Sequence, residues 1–538
     1  MTAGEVERLI VEALSFHEIQ WTGFGRHRSQ RLVGRLETTQ TLDEAAVRKL
    51  YAVIGLRRTL PRWVAMLKQL LAHLSSIKVA YDHRLTMSEN LASPVVDYVT
   101  RRAAKWNSPN TETVLSDKAW ASLANALRLR LSSSGRQAVD WMWQAAVMNR
   151  GLLRPHPAMS SDDFMFIYFA DGVQVRTLSL LHACPALARL WMVQSCLWVS
   201  FTRRFVGHAR AFLRLNGRSV KSRIHVASLQ PDWSDLHCGN RSVMRVRLSN
   251  GEHWYYKPRS GVPERMWTHL LSAVNDLPVR IHFMTIPKVI SGRNHCWVEA
   301  VSPKACRTKE QAAKFFFKCG VVLYLLHCLR GVDFHAANLV AHASDPVLID
   351  CETLLHPQRD RIQGTILATG FLPFRARLQD SQSALGRLES GRHTVRLQNR
   401  VVVASDFTEE ILAGFRILGE LKKVVVSRTI QHALRKVHLR KTRQLFRATN
   451  WYEAVLASSL EFAVLTTGAN RWRYLQRLCC RSGGVWRGSL EALALEQADI
   501  PVFYSNPARP RSMSALQLKR ESKTLSRALE QLRVKAPF

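Results

Sequence analysis

The chain has 538 residues, of which 47% are hydrophobic and 22% are charged, a composition typical of a globular protein of about three domains rather than of a disordered one. Its formal net charge is +36 at pH 7, which would suit a nucleic acid, a membrane surface or an acidic peptide as partner. Arginine occurs in nearly every segment, without an arginine–glycine tract, zinc-finger spacing or aromatic RNA-binding signature. We therefore expect no nucleic-acid partner and favour an acidic peptide.

Targeting and membrane signals are also missing from the sequence. The amino-terminal residues carry acids and no apolar core, so we expect no signal peptide. The most apolar stretches, 190–201 and 315–329, are too short to span a membrane and are interrupted by Gln194 and Lys318. Ten scattered cysteines without a CxxC repeat indicate neither a disulfide framework nor a zinc site. We expect a soluble, cytoplasmic protein.

The first predicted region, 1–216, is helical because apolar residues recur at spacings of three and four. Segments 43–56 and 60–77 show this pattern, Pro155 and Pro157 interrupt it, and 184–215 predicts two more helices. We assign no catalytic cluster to this region.

In the second predicted region, 217–302, apolar residues recur at every second position, which is typical of strands. Met244, Val246 and Leu248 share one face of a strand, Asn250-Gly251 predicts a hairpin turn, and the next strand ends at Lys257. A lysine at a strand end is normally solvated, but here a predicted helix follows, as it does after the nucleotide-binding lysine of a kinase. That helix contains Glu264, which can pair with the lysine, although we interpret it as a solvated residue of the helix start. Segment 282–302 predicts a second hairpin.

The third predicted region, 303–538, begins with a helix over about 309–329 and continues into a polar stretch, 331–355. Residues 339–341 and 347–349 predict a hairpin whose ends carry Asp333, Asn338 and Asp350. In phosphoryl transfer one carboxylate orients the attacking hydroxyl, while an Asn and a second Asp hold Mg²⁺ against nucleotide phosphates. Ordinary turn chemistry is the alternative explanation for these loop residues.

Three other stretches have two interpretations each. The glycine of segment 235–242 can let backbone amides approach a phosphate, or the segment is a plain turn. Segment 358–443 is basic and poorly periodic, as an activation loop is. Arg443, Arg447 and Thr449 can bind a phosphate, or Thr449 or Asn450 caps a helix beside solvated arginines. The tail from Arg511 predicts a basic helix with little apolar face.

Several motifs in series resemble the dehydratase domain of class II lanthipeptide synthetases, the LanM type. They cover about 205–507 in the order SDLHCGNRSV, YYKPRS, HCWVEAVS, GVDFHAANLVA, PVLIDCETLLHP, RQLFRATNWY and ADIPVF. The resemblance implies an α+β fold with a lipid-kinase-like two-lobed core. Residues 217–302 would form its N-lobe and 303–538 its C-lobe, which carries the activation-loop-like insert and the phosphate-elimination segment.

The resemblance also implies a reaction and its participants. ATP and Mg²⁺ would serve to phosphorylate Ser and Thr of a precursor peptide with a leader sequence, often acidic, before phosphate elimination gives dehydroalanine and dehydrobutyrine. The residues that fall on phosphorylation positions would bind the nucleotide (Lys257, Glu352), hold the metal (Asn338, Asp350) or act in catalysis (Asp333, His335). Arg443 and Thr449 fall on elimination positions. The catalytic positions Asp235 and His237 match as well, without an assigned step.

The sequence departs from the family pattern at Ala337, at Ala448 and at 459–462. LanM enzymes continue into a zinc-bearing cyclase domain, and this sequence shows no such Cys/His set, so we expect no cyclisation and consider a separate lanthipeptide cyclase a candidate partner. Two alternatives stay open. A kinase-fold protein that phosphorylates without eliminating is opposed by the intact Arg443 and Thr449. A decayed synthetase that only binds a peptide or partner is favoured by the departures and opposed by the complete set of phosphorylation residues.

Overall fold

The computed structural model describes residues 1–14, 61–107, 113–149, 165, 167–216, 224–278, 281, 284–357, 365–372, 383–385, 392, 394–397, 400–421, 423–483 and 485–534. The chain forms two compact units, each assembled from separated segments. The first contains Met1–Glu252 and Arg447–Pro501, and the second contains His253–Phe446 and Val502–Phe538. Both combine helices with short antiparallel strands, which makes the protein α+β, as the sequence predicts.

The first unit is mainly helical in its described part. Its helices are α1 (Ala3–Ala13), α2 (Arg62–Ser76), α3 (Met87–Ala104), α4 (Asp117–Asn149), α5 (Val173–Ala183), α6 (Pro185–Asn216) and, after the second unit's long segment, α11 (Thr449–Ser458), α12 (Gly468–Gly483) and α13 (Val485–Glu496). The prediction of two helices in 184–215 is wrong, because α6 is continuous: its proline stands at the first position, where it interrupts no hydrogen bond. Segment 43–56, Pro155 and Pro157 lie outside the described residues.

Two strands of the first unit, β1 (Val226–Gln230) and β2 (Met244–Leu248), pair antiparallel. Met244, Val246 and Leu248 are buried on one face, which confirms the predicted alternation. The turn after β2 closes at Gly251, whose φ of 89° is a conformation that favours glycine.

The second unit contains two antiparallel hairpins near its start. Strands β4 (Val289–Ser291) and β5 (Cys296–Glu299) form the predicted second hairpin, and β5 also pairs with β3 (His253–Lys257). Helix α7 (Val262–Asn275) follows β3. After helix α8 (Lys309–Cys328), strands β6 (Leu339–His342) and β7 (Asp345–Leu348) form the predicted hairpin of the polar stretch.

Helix α8 forms the centre of the second unit's core, since its residues 318–328 are all buried. The buried Lys318, which interrupts the apolar run, donates to Asp345 Oδ1 at 2.5 Å, and Thr285 donates to Asp345 Oδ2 at 2.9 Å. The Lys318–Asp345 ion pair therefore connects helix α8 to the turn of the β6–β7 hairpin.

Two expectations for the carboxy-terminal third are wrong. Helices α9 (Thr408–Glu420) and α10 (Lys423–Arg435) follow the short hairpin β8 (Val395–Leu397)–β9 (Arg400–Val402), where the sequence suggested one long loop. Helix α14 (Ala515–Val534) has an apolar face after all, because Leu525, Ala528 and Leu529 are buried in the core around α8. These leucines and the alanine are spaced by three and one, a pattern that the surrounding charges obscure.

Candidate functional site

Lys257, the last residue of β3, lies in a buried ion pair. Its side chain is 5% exposed, and its Nζ donates to Glu264 Oε1 at 2.9 Å and to the carbonyl of Ile349. Glu264 is not the solvated residue that we expected. Its position in the first turn of α7 faces inward, and a carboxylate there is favoured by the helix dipole and by the buried lysine.

Arg259 connects this pair to the polar stretch, and sequence reasoning missed it. Its Nη1 and Nη2 donate to the two oxygens of Glu264 at 3.0 and 2.7 Å. Nη2 also donates to Asp350 Oδ1 at 2.6 Å, and Nε lies 3.1 Å from Glu352 Oε2. The motif YYKPRS contains this arginine, but nothing local reveals a partner that lies 91 residues further along the chain.

Charge compensation keeps these buried groups ionised. Burial opposes the charge of Lys257, yet Glu264 and Asp350 raise its pKa above the ordinary value. Burial likewise opposes ionisation of Asp350, and the positive charges of Arg259, Lys257 and Arg443 hold its pKa well below the usual range. The site is thus a network of alternating charges rather than a cavity lined by free cations.

Arg443, the predicted elimination residue, joins the same network through Glu352. It lies in strand β10 (Thr442–Gln444), which pairs with β11 (Phe503–Ser505). Its Nη1 donates to Glu352 Oε1, and its backbone amide donates to the Glu352 carbonyl at 3.2 Å. Six residues of one unit are therefore linked by side-chain contacts: Lys257, Glu264, Arg259, Asp350, Glu352 and Arg443.

Asp333 and its neighbours lie on the loop before β6. Asp333 has a φ of 65°, a left-handed conformation that Asp tolerates better than most residues and that is common at functional sites. Desolvation by the surrounding protein raises its pKa, with His335 and Arg443 opposing, although the 47% exposure of the side chain limits the effect. His335 Nε2 lies 4.0 Å from Asp333 Oδ1.

Asn338 and Asp350 stand at the same end of the β6–β7 hairpin, as the sequence predicts, and their role as metal ligands stays a prediction. The carbonyl of Asn338 accepts the amide of Ile349 at 3.0 Å, and its Nδ2 donates to the Asp333 carbonyl at 2.8 Å. No group of three or more His, Cys, Asp or Glu in the described ranges is arranged to hold a metal. An oxygen set of one Asp and one Asn nevertheless fits Mg²⁺, which commonly takes one or two protein ligands together with waters and substrate phosphates.

Asp235 and His237 lie in the first unit, on the loop between β1 and β2. The carboxylate of Asp235 is exposed, and His237 Nδ1 lies 2.9 Å from the carbonyl of Ile500. The amides of Gly239 and Asn240, which were expected to be able to approach a phosphate, instead donate to the carboxylate of Asp499 at 2.5 and 2.7 Å. This anion-binding turn is filled by a side chain of the chain itself.

Thr449 and Arg447 also belong to the first unit. Thr449 is the first residue of α11, and the cap is Ala448, so neither Thr449 nor Asn450 caps the helix. Arg447 is not solvated: its Nε and Nη2 each donate to buried Glu491 at 2.9 Å, and its guanidinium lies 4.0 Å from the ring centre of Trp451.

Among the described residues, no helix has both the length and the hydropathy that crossing a bilayer requires. The geometry defines an α+β protein with a buried network of ion pairs at β3 and the β6–β7 hairpin. The chain belongs to the family described as a domain of unknown function, DUF4135, whose model matches residues 184–391 and 380–506, more than half of the chain.

A curated relative is "Lacticin 481/lactococcin biosynthesis protein LcnDR2" of Lactococcus lactis subsp. lactis, which is 25% identical over 160 residues. The match covers 26% of this chain and only 17% of the relative's length. The similarity is thus to a limited part of a longer protein.

Proposed function

We propose that the chain is a dehydratase of lanthipeptide (lantibiotic) biosynthesis that phosphorylates Ser and Thr of a precursor peptide and then eliminates the phosphate. The Lys257–Glu264 pair carries the proposal, because kinases place a strand lysine for the nucleotide phosphates with a glutamate of the following helix. The relative named for lacticin 481 and lactococcin biosynthesis supports a peptide substrate. A lipid-kinase-like core, ATP as phosphate donor and a cytoplasmic location belong to the same proposal.

In the first step the peptide hydroxyl oxygen attacks the γ-phosphorus of ATP. The new O–P bond forms while the bond to the β–γ bridging oxygen breaks, and ADP leaves. Asp333 accepts the hydroxyl proton, a role that its raised pKa favours, with His335 beside it. Lys257 would contact phosphate oxygens. Asn338 and Asp350 would hold Mg²⁺, which neutralises charge on the phosphates when bound.

In the second step a base removes the α-proton of the phosphorylated residue. The electron pair forms the Cα=Cβ bond, the Cβ–O bond breaks, and phosphate leaves. Arg443, whose guanidinium also binds Glu352, is assigned to stabilise the departing phosphate by its positive charge. Thr449 is assigned to the same step. Ring closure would fall to a separate cyclase.

The proposal is tested by mass spectrometry of a candidate precursor peptide after incubation with the protein, ATP and Mg²⁺. We expect the loss of one water per modified Ser or Thr. Arg443→Ala should leave phosphorylated peptide, whereas Arg440→Ala, which changes an exposed arginine nearby, should leave dehydration intact. Phosphopeptide as the final product of the unmodified protein would support a kinase without lyase activity, and an unchanged peptide together with undetectable ATP binding would support a decayed binding protein.

A further inference from the structure

Arg259 contacts three carboxylates that come from two distant segments. The three differ in how many of their oxygens are already bonded to protein groups. Glu264 has both oxygens bonded, Oε1 to Lys257 and Arg259 and Oε2 to Arg259. Glu352 also has both oxygens in ion pairs, Oε1 with Arg443 and Oε2 with Arg259. Neither glutamate therefore retains an oxygen for another cation.

Asp350 differs from both glutamates. Its Oδ1 accepts from Arg259 at 2.6 Å and from the Glu352 amide at 3.3 Å, while its Oδ2 has no hydrogen bond to any residue of the described ranges. The side chain is 32% exposed, so this oxygen can be reached from solvent. Of the three carboxylates around Arg259, Asp350 alone keeps one oxygen without a protein partner.

We infer that Arg259 is a positioning residue that fixes Asp350 through Oδ1 and leaves Oδ2 to bind a divalent cation. The inference rests on the proposed function, which assigns Asp350 to the metal. A guanidinium suits this role because its planar fork can hold Glu264, Asp350 and Glu352 at once, whereas a lysine offers a single point charge. Partners that orient a metal ligand in this way typically change metal affinity by about 10–100-fold when they are replaced.

Two effects of Arg259 on a nearby cation have opposite signs. As a positive charge it repels the cation, so its removal alone would tighten metal binding. As an anchor of Asp350 it orders the ligand, so its replacement would weaken binding. Arg259→Lys keeps the charge and loses the fork, and Arg259→Gln loses both, so the pair of variants separates the two effects.

The test measures Mn²⁺ binding by electron paramagnetic resonance in the presence of a non-hydrolysable ATP analogue, with the full chain. We expect Arg259→Lys and Arg259→Gln each to bind Mn²⁺ about 10–100-fold more weakly than the parent. Asp350→Asn should abolish this binding. Arg265→Lys, an exposed arginine of α7, should leave the binding unchanged.

The outcomes separate the inference from the proposed function. Parent-like binding by Arg259→Lys, or tighter binding by Arg259→Gln, would overturn the positioning role while the dehydratase proposal stands. Absence of Mn²⁺ binding by the parent itself would overturn both. Should the variants not fold, the resonance of the Arg259 Nη2 protons of the parent provides the answer, because Nη2 is the donor to Asp350. It should stay protected from exchange when Mg²⁺ and the nucleotide analogue are added, and loss of that protection would contradict the anchor.

Discussion

At the scale of single residues, Glu264 shows how a buried carboxyl group can stay ionised. Its side chain is 5% exposed and lies between Lys257 and Arg259. Burial raises the pKa of such a carboxyl, but the two cations outweigh this effect and keep its pKa below the ordinary value. Because two cations depend on it, Glu264 affects both the proposed nucleotide lysine and the arginine that reaches Asp350.

We predict that Glu264→Gln destabilises the second unit by about 3–5 kcal/mol, the usual cost of removing one partner from a buried ion pair. It should also reduce the proposed ATP-dependent phosphorylation of the peptide, because Lys257 loses its partner. Urea unfolding and the phosphorylation assay measure the two effects.

Glu310→Gln is the matched control. Glu310 pairs with Lys314 on the surface, and its side chain is 73% exposed. We expect Glu310→Gln to change the free energy of unfolding by less than about 0.5 kcal/mol. Equal effects of the two substitutions would contradict the importance of burial at Glu264.

At the scale of elements, helices α8 and α9 approach each other through two glycines. A Cβ at Gly414 would overlap the carbonyl oxygen of Phe317, and a Cβ at Gly320 would overlap that of Ile411. The obstructing atoms are backbone, which cannot swing aside. The packing of α9 against α8 therefore depends on the absence of two side chains.

We predict that Gly414→Ala destabilises the second unit by about 1–3 kcal/mol through overpacking, which lowers the midpoint of thermal unfolding. Gly207→Ala provides a comparison, since a Cβ at Gly207 in α6 meets no atom within 4 Å. There the alanine should stabilise by about 0.5–1 kcal/mol through its higher helix propensity. A stabilising effect at Gly414 would show that the two helices can separate without cost.

The contact between α8 and α14 should depend on pH through His327. Burial, with the nearby Arg511 and Arg520, lowers the pKa of His327 to about 4, although Glu521 of α14 raises it. Because the unfolded chain binds the proton near pH 6.5, the stability contributed by neutral His327 is complete above that pH. It is lost as the pH falls from about 6.5 towards 4.

We predict that the free energy of opening of α14, measured by amide hydrogen exchange, decreases as the pH falls from about 6.5 towards 4. The decrease should be about 3 kcal/mol larger in the parent than in His327→Gln. His432→Gln, at an exposed histidine of α10, should behave like the parent. Identical pH profiles for His327→Gln and the parent would rule out this histidine as the cause.

Elements with local signals were predictable from the sequence, and partners distant in the chain were not. The hairpins β4–β5 and β6–β7 follow from alternation and turn residues within a few positions. Arg259, by contrast, meets Asp350 across 91 residues, and Asp499 meets Asn240 across 259. An acid or an arginine looks the same in the sequence whether it is solvated or buried against such a partner, which is why Glu264 was misjudged.

At the scale of the whole molecule, the net charge of +36 predicts how binding of the proposed substrate depends on salt. An acidic leader peptide should be attracted over the whole surface, and salt screens this attraction. We expect its affinity, measured by fluorescence anisotropy, to fall roughly tenfold or more between about 0.05 M and about 0.5 M NaCl. A leader with its acids changed to amides should bind weakly at both concentrations, and a salt-independent affinity for the acidic leader would contradict an electrostatic role of the charge.

The division of each unit into separated segments has a consequence for synthesis on the ribosome. The first unit uses residues up to 252 and then 447–501, which supply contacts such as the Ala186 amide to the Leu465 carbonyl and Arg189 to Glu496. At a synthesis rate of about 5–20 residues per second, residues 447–501 are made roughly 10–50 s after the early helices that they contact. During that interval a nascent chain exposes apolar helix faces, and it is then that we expect chaperones at the ribosome to be needed most.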